Sequence, residues 1–144
     1  MQAQNGSGMI VKESLLIAID FDGTIVDDGY PKIGSPKIFA FETMKRLQQD
    51  GHRLILWTYR SGRKLEEAVQ FCADNGIEFY AVNSSYPEEV FDGKVSRKIN
   101  ADYFIDDRNI GGFIGWGKVY QILTNESPDE KLTKKKGLFS FLKR

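Results

Sequence analysis

The strongest constraint on this chain is a short apolar run that ends in two acids: Leu15-Leu16-Ile17-Ala18-Ile19-Asp20-Phe21-Asp22-Gly23-Thr24. An unbroken aliphatic run of this length, closed by a turn signal, predicts a strand buried on both faces of a parallel sheet. Side chains two apart in extended chain point the same way, so Asp20 and Asp22 can face one ligand where the strand gives way to Gly23. Asp-Gly is also ordinary turn chemistry, and the acid pair alone does not separate a turn from a site.

The rest of the chain repeats the pattern of strand and helix. Pro36 suits a first helical turn with Ser35 as N-cap, and Ile38, Phe39, Phe41, Met44 and Leu47 recur at helical spacing up to Asp50-Gly51. Arg53 to Thr58 (RLILWT) is a second buried strand. Gly62 starts a helix whose stripe is Leu65, Ala68, Val69 and Cys72, stopped by Asn75-Gly76. Glu78 to Val82 reads as a third strand, 83–97 as a polar loop around Pro87, and Tyr103 to Asp106 as a fourth strand. Trp116, Val119, Tyr120 and Leu123 predict a final helix ending near Asn125. Strands alternating with helices predict a three-layer α/β/α, Rossmann-like domain with a parallel sheet and helices on both faces. Ligands of such sheets bind beyond the carboxyl ends of the strands, where Asp20, Thr58 and Asp106 converge.

Asp106-Asp107 directly follows Tyr-Phe-Ile, so a second pair of carboxylates is expected at the same sheet edge. Acids gathered that closely repel one another unless a cation lies among them. Carboxylate oxygens without His or Cys select a hard ion, and magnesium is the expected cofactor. As a turn cap, Asp106-Asp107 would carry the same letters with no ion. Thr58 can offer a hydroxyl and a backbone N–H to a phosphate oxygen, although Thr is at home in any strand. A lysine near the mouth would neutralise phosphate and nucleophile; Lys98 is the first candidate and Lys94 the second, against the reading of both as solvated surface.

An apolar strand ending DFDGT, a second ending in Thr, then a lysine, then a strand ending DD, in that order, resembles the haloacid dehalogenase superfamily of phosphohydrolases. The four motifs spread over residues 15–109, and DFDGTIVDDGYPKIG with LILWTYR and ADYFIDDRN resembles its small bacterial members. The resemblance implies a phosphatase for phosphate monoesters. Asp20 would be the nucleophile that forms an aspartyl-phosphate, and Asp22 would protonate the leaving oxygen and then deprotonate water. It further implies Mg2+ on Asp20, the Asp22 carbonyl, Asp106 and Asp107, with Thr58 and Lys98 on the transferring oxygens. Superfamily members that cleave carbon–halogen bonds lack an acid equivalent to Asp22, so its presence favours phosphate esters.

Relatives often insert a cap domain between these motifs; here neither gap is long enough, so no cap is expected and the mouth should be open. In this superfamily that implies a large phosphorylated substrate or a lid from a neighbouring subunit of a homo-oligomer. Tyr30, Pro31 and Lys32, and Tyr86, Pro87, Glu88 and Glu89, are placed to flank the mouth, or are ordinary loop turns. Arg60 and Arg63 could reach a second anionic group, against surface ion pairing. Trp57 and Trp116 read as core, His52 as a polar loop residue and Cys72 as a buried small hydrophobe.

The rival reading is a non-catalytic phosphate- or metal-binding module such as a phospho-switch. Response-regulator receivers also gather a phosphorylatable Asp, an acid pair, a Thr and a Lys on a parallel sheet. Their acid pair ends the first strand and their phosphorylated Asp a later one, the opposite of the order here. Twenty basic and twenty acidic residues cancel to a formal net charge of zero, which argues against a dedicated nucleic-acid binder. One cysteine precludes an internal disulfide and fits a reducing, cytoplasmic setting. Residues 1–12 read as a flexible leader, 13–126 as the core and 127–144 as a basic and apolar tail. That tail, with Leu138, Phe139 and Leu142 beside lysines, is expected to dock on membranes or partners only marginally.

Overall fold

The computed structural model describes residues 13–126. The leader 1–12 and the tail 127–144 lie outside the described residues. Four short strands form one parallel sheet: β1 (Leu16–Ile19), β2 (Arg53–Leu56), β3 (Ala81–Val82) and β4 (Tyr103–Ile105), in the order β3-β2-β1-β4. Three helices flank it: α1 (Ala40–Gln49), α2 (Gly62–Asp74) and α3 (Trp116–Thr124). This is the α/β Rossmann-like arrangement that the alternation of periods predicts, and no cap domain interrupts it among the described residues.

The register places the site. Ile19 pairs with both Leu56 and Ile105, and Leu56 with Val82, so all four strands stop on one row. The residues that follow them, Asp20, Trp57, Asn83 and Asp106, therefore emerge along one edge.

The two faces of the sheet are covered differently. Ile17, Ile19, Leu54, Leu56 and Ile105 pack with Met44 and Leu47 of α1, Ala68 and Cys72 of α2, and Trp116 and Val119 of α3. Ala18, Ile55 and Ala81, pointing the other way, pack with Ile99 and the half-buried Trp57, Tyr80 and Ala101. The second outer layer is thus the irregular connection between β3 and β4. Its Pro87, Gly93 and run of polar residues supply no helical apolar stripe.

Helix α1 begins four residues later than Ser35-Pro36 suggests. Asp27 N–H donates to the Ser35 carbonyl at 2.7 Å, Lys37 N–H to Ile25 O at 2.8 Å, and Val26 bridges Pro36 antiparallel, so this stretch folds back on the loop after β1. Phe39, at φ 67°, then turns the chain into the helix, and Ile38 is 64% exposed instead of joining the core. β3 is also shorter than Glu78 to Val82. His52 is buried, not a loop surface residue: its Nδ1 accepts the Leu15 N–H at 3.0 Å, tying the starts of β1 and β2 together. Cys72 is buried and free, as expected of a small hydrophobe, and burial pushes its thiol up to about 12. Among the described residues no helix is long and apolar enough to cross a membrane.

Candidate active site

After β1 the chain makes a tight loop in which the Phe21 carbonyl accepts from Thr24, Ile25 and Val26 N–H at 3.1, 2.9 and 3.2 Å. Phe21, Ile25 and Val26 are fully buried and anchor the loop from beneath. From α3 the Trp116 indole N–H donates to the Thr24 carbonyl at 2.7 Å, so Trp116 is core that also holds the loop. Gly23 sits at φ +86°, and a Cβ there would overlap Asp107 Oδ2, so any other residue would strain the backbone and push the Asp107 carboxylate aside.

That close approach brings Asp107 to the loop. The buried Thr24 hydroxyl lies 3.0 Å from Asp20 Oδ2 and 3.2 Å from Asp107 Oδ1, bridging the two carboxylates. Asp106 is fixed through its own turn, where Oδ1 accepts Arg108 N–H at 2.8 Å and its carbonyl accepts from Asn109 Nδ2 at 2.7 Å. One carboxylate oxygen each from Asp20, Asp106 and Asp107 lies within 4.8 Å of the others, and all three residues are half-buried. Burial above all, then the hydrogen bond with Asp107 and the charge of Asp106, pushes the Asp20 carboxyl from 3.8 up to about 8. A cation among these three carboxylates would offset the repulsion that adds to the effect of burial. These three residues could hold a metal ion, and the all-oxygen donor set suits a hard divalent cation.

Asp22 is drawn elsewhere. Its carboxylate faces Arg60, with Nε and Nη2 each at 2.8 Å. The remaining guanidinium N–H groups go to the carbonyls of Pro31 at 3.1 Å, Lys32 at 3.0 Å and Lys64 at 3.3 Å, so every donor of Arg60 is used. The guanidinium also lies 5.1 Å from the Phe21 ring centroid and 5.2 Å from that of Tyr30. Its pKa is raised, chiefly by the bond to Asp22. Arg60 therefore orients a site acid and braces the first loop instead of reaching a second anion; Arg63 is exposed near Glu67.

Thr58 follows β2 at the site edge, with a difference from what the sequence offers. Its backbone N–H is taken by Asn83 Oδ1 at 2.8 Å, and its Oγ1 accepts Arg60 N–H at 3.1 Å, leaving the hydroxyl hydrogen to donate. Asn83, at φ 53°, is a positioning residue that sequence reading missed; a polar residue directly after a predicted strand was the available signal.

A cavity of about 630 Å3 opens over these groups, lined among others by Asp20, Asp22, Thr58, Trp57, Asp106 and Arg108. Trp57, half-buried, packs against the second core cluster and also forms part of the cavity wall. Of the predicted flanking residues, Tyr30 lines it, while Tyr86, Pro87, Glu88 and Glu89 are not among its lining. Neither Lys98 nor Lys94 lines it either. The Lys98 ammonium lies 5.8 Å from the Phe104 ring centroid, and the cation at the cavity is Arg108.

Fold and site together define a capless α/β protein of Rossmann-like arrangement with an acidic centre at the carboxyl edge of its sheet. No family model matches the sequence, and no curated protein does. A solved structure described as that of a conserved protein coded by a locus of Bacteroides thetaiotaomicron is 52% identical, with a TM-score of 0.74 over 78% of this chain and 92% of its own. The chain belongs to the same family as that conserved Bacteroides protein.

Proposed function

We propose that the chain is a magnesium-dependent phosphatase of the haloacid dehalogenase type that hydrolyses a phosphate monoester through an aspartyl-phosphate. The observation that carries the reading is the trio of Asp20, Asp106 and Asp107, whose ligand oxygens lie within 4.8 Å of one another at the carboxyl edge of the sheet. Asp20, Asp106 and Asp107 would hold Mg2+, which supplies positive charge between the carboxylate nucleophile and the anionic phosphate.

Asp20, on the rigid end of β1, attacks phosphorus; the bond from phosphorus to the ester oxygen breaks as the bond to the Asp20 oxygen forms. Asp22 would give the leaving oxygen its proton, a role for which its carboxyl must first turn from the Arg60 fork and take up a proton from solvent. It then takes one from the water that attacks the phosphorus of the aspartyl-phosphate, which releases inorganic phosphate and restores Asp20. Arg60 fixes the plane in which the Asp22 carboxylate lies, since two parallel N–H···O bonds define an orientation as well as a contact. The Thr58 hydroxyl and Arg108 are two donors at the cavity that could meet the transferring oxygens. The test is phosphate release from an aryl phosphate by the full chain with magnesium and with EDTA. Activity that requires the metal and disappears in Asp20→Asn is expected; release that survives in Asp20→Asn would remove the nucleophile from the scheme.

A further inference from the structure

The acidic floor of the cavity accounts for a phosphate and a metal, but not for its upper wall. Tyr59, directly after Thr58, is 90% exposed, and Tyr30 on the opposite loop is 46% exposed. A single exposed tyrosine is unexceptional. These two are not single: their rings meet edge to face, with centroids 6.3 Å apart and planes at 67°. Tyr30 is braced in turn by the buried Arg60 guanidinium beside its ring, the same group that orients Asp22. Tyr30, held from behind, gives the open Tyr59 ring a fixed edge to rest against, and a tyrosine has only two side-chain torsions to settle when a ligand stacks on it.

The polar groups near it narrow the ligand. A polyanionic substrate would need several cations on the wall, and Arg108 is the only cationic side chain lining the cavity among the described residues. Arg60 spends all its donors inward. Asp28, also on the lining, offers carboxylate oxygens that suit hydroxyls or an exocyclic amine and repel a second phosphate. A volume of about 630 Å3 lies within the range of sites for molecules of nucleotide size.

We propose that Tyr59, backed by Tyr30, is a stacking platform for a planar heteroaromatic ring, and that the substrate is a nucleoside monophosphate. This rests on the phosphatase reading of the same site. Base–aromatic stacking is strong enough to change affinity by about tenfold or more, and it tolerates any base.

The experiment compares adenosine 5′-monophosphate with ribose 5-phosphate, in which an anomeric hydroxyl replaces the base. Binding of each to the full-chain Asp20→Asn protein with magnesium is measured by calorimetry, alone and with Tyr59→Ala or Tyr59→Phe added. The nucleotide should bind about tenfold or more tighter, the ratio should fall toward one in Tyr59→Ala, and Tyr59→Phe should restore it. Equal affinities, no binding of either ligand, or a ratio that survives Tyr59→Ala overturns the platform. Phenyl phosphate binding as well as the nucleotide overturns the nucleoside as occupant. Turnover by the wild-type chain separates the two readings: no phosphate release alongside an intact affinity ratio sinks the hydrolase and leaves the platform standing.

Discussion

Arg60 meets Asp22 fork to fork, Nε to Oδ2 and Nη2 to Oδ1, both at 2.8 Å, with the arginine side chain wholly shut off from solvent. Because the pair is buried on the arginine side, removing one partner strands the other without water. Arg60→Met should cost about 3–5 kcal/mol in stability, measured by urea denaturation, since it also abandons two loop carbonyls and one in the first turn of α2. Arg60→Lys keeps the charge but not the fork. It should fold, and lose about tenfold or more in kcat with a smaller change in KM, because the geometry of Asp22 and not substrate binding is what it damages.

Asp20 ties stability to pH and metal. Its native carboxyl is pushed up to about 8 while the unfolded value is 3.8. Between those values the native state keeps a proton that the unfolded chain has released, so this residue makes stability fall as pH rises through that window. In EDTA, the melting temperature of the wild type should decline from pH 4 toward pH 8 relative to Asp20→Asn, which lacks the group. Magnesium should flatten the difference, and its binding near pH 7 should release close to one proton, read by calorimetry in two buffers of different ionisation enthalpy. Parallel curves for wild type and Asp20→Asn in EDTA would contradict the assignment.

Gly23 combines two constraints that a second glycine separates. Gly23→Ala forces a side chain into φ +86° and against the Asp107 carboxylate, whereas Gly93, at φ +87°, has nothing within 4 Å of a would-be Cβ. Both alanine variants should lose about 1–3 kcal/mol from the backbone conformation. Only Gly23→Ala should also weaken Mg2+ binding, by about tenfold, by driving Asp107 from Asp20. Equal metal affinity in the two variants, from a titration followed by Trp fluorescence, would separate Asp107 from the metal centre.

Arg108 and Lys98 compete for one role. Arg108 lines the cavity beside Asp20 and Asp106, while the Lys98 ammonium lies over the Phe104 ring. Arg108→Ala should therefore lower kcat/KM by about tenfold or more, and Lys98→Ala by less than about threefold. The reverse order in steady-state kinetics would return the lysine to the phosphate.

What the sequence made legible, and what it hid, follows from distance along the chain. The acids that end β1 and β4 could be read because an apolar run and the acid closing it are adjacent letters, and parallel strands in register do the rest. Arg60 could not be assigned: its partner Asp22 lies 38 residues away, and an arginine after a strand looks the same whether it faces solvent or a buried carboxylate. Pro36 misled because a proline that suits the first turn of a helix equally suits an edge bridge to Val26, and the backbone bonds of Asp27 and Lys37 decided for the bridge. Lys98 stands in an irregular segment, where spacing carries no direction. Thr58 was placed correctly at the sheet edge, yet its amide was already committed to a residue 25 positions on.

That residue, Asn83, yields the last expectation. Its N–H donates to Leu56 O at 2.7 Å, its Oδ1 takes the Thr58 N–H at 2.8 Å, and its Nδ2 reaches the Arg60 carbonyl at 3.4 Å. One side chain thus clamps Thr58 to Arg60, the stretch that presents the hydroxyl to the cavity and the guanidinium to Asp22. Asparagine tolerates the left-handed backbone at φ 53° better than most residues, so Asn83→Ala combines strain with a lost amide partner and should cost about 2 kcal/mol. Asn83→Gly relieves the strain but keeps the lost bond. If the clamp positions the catalytic stretch, both variants should lose a similar factor in kcat, about tenfold, although the glycine variant is the more stable of the two. Activity that instead tracks stability, with Asn83→Gly near wild type, would show that the backbone turn alone sets the position of Thr58.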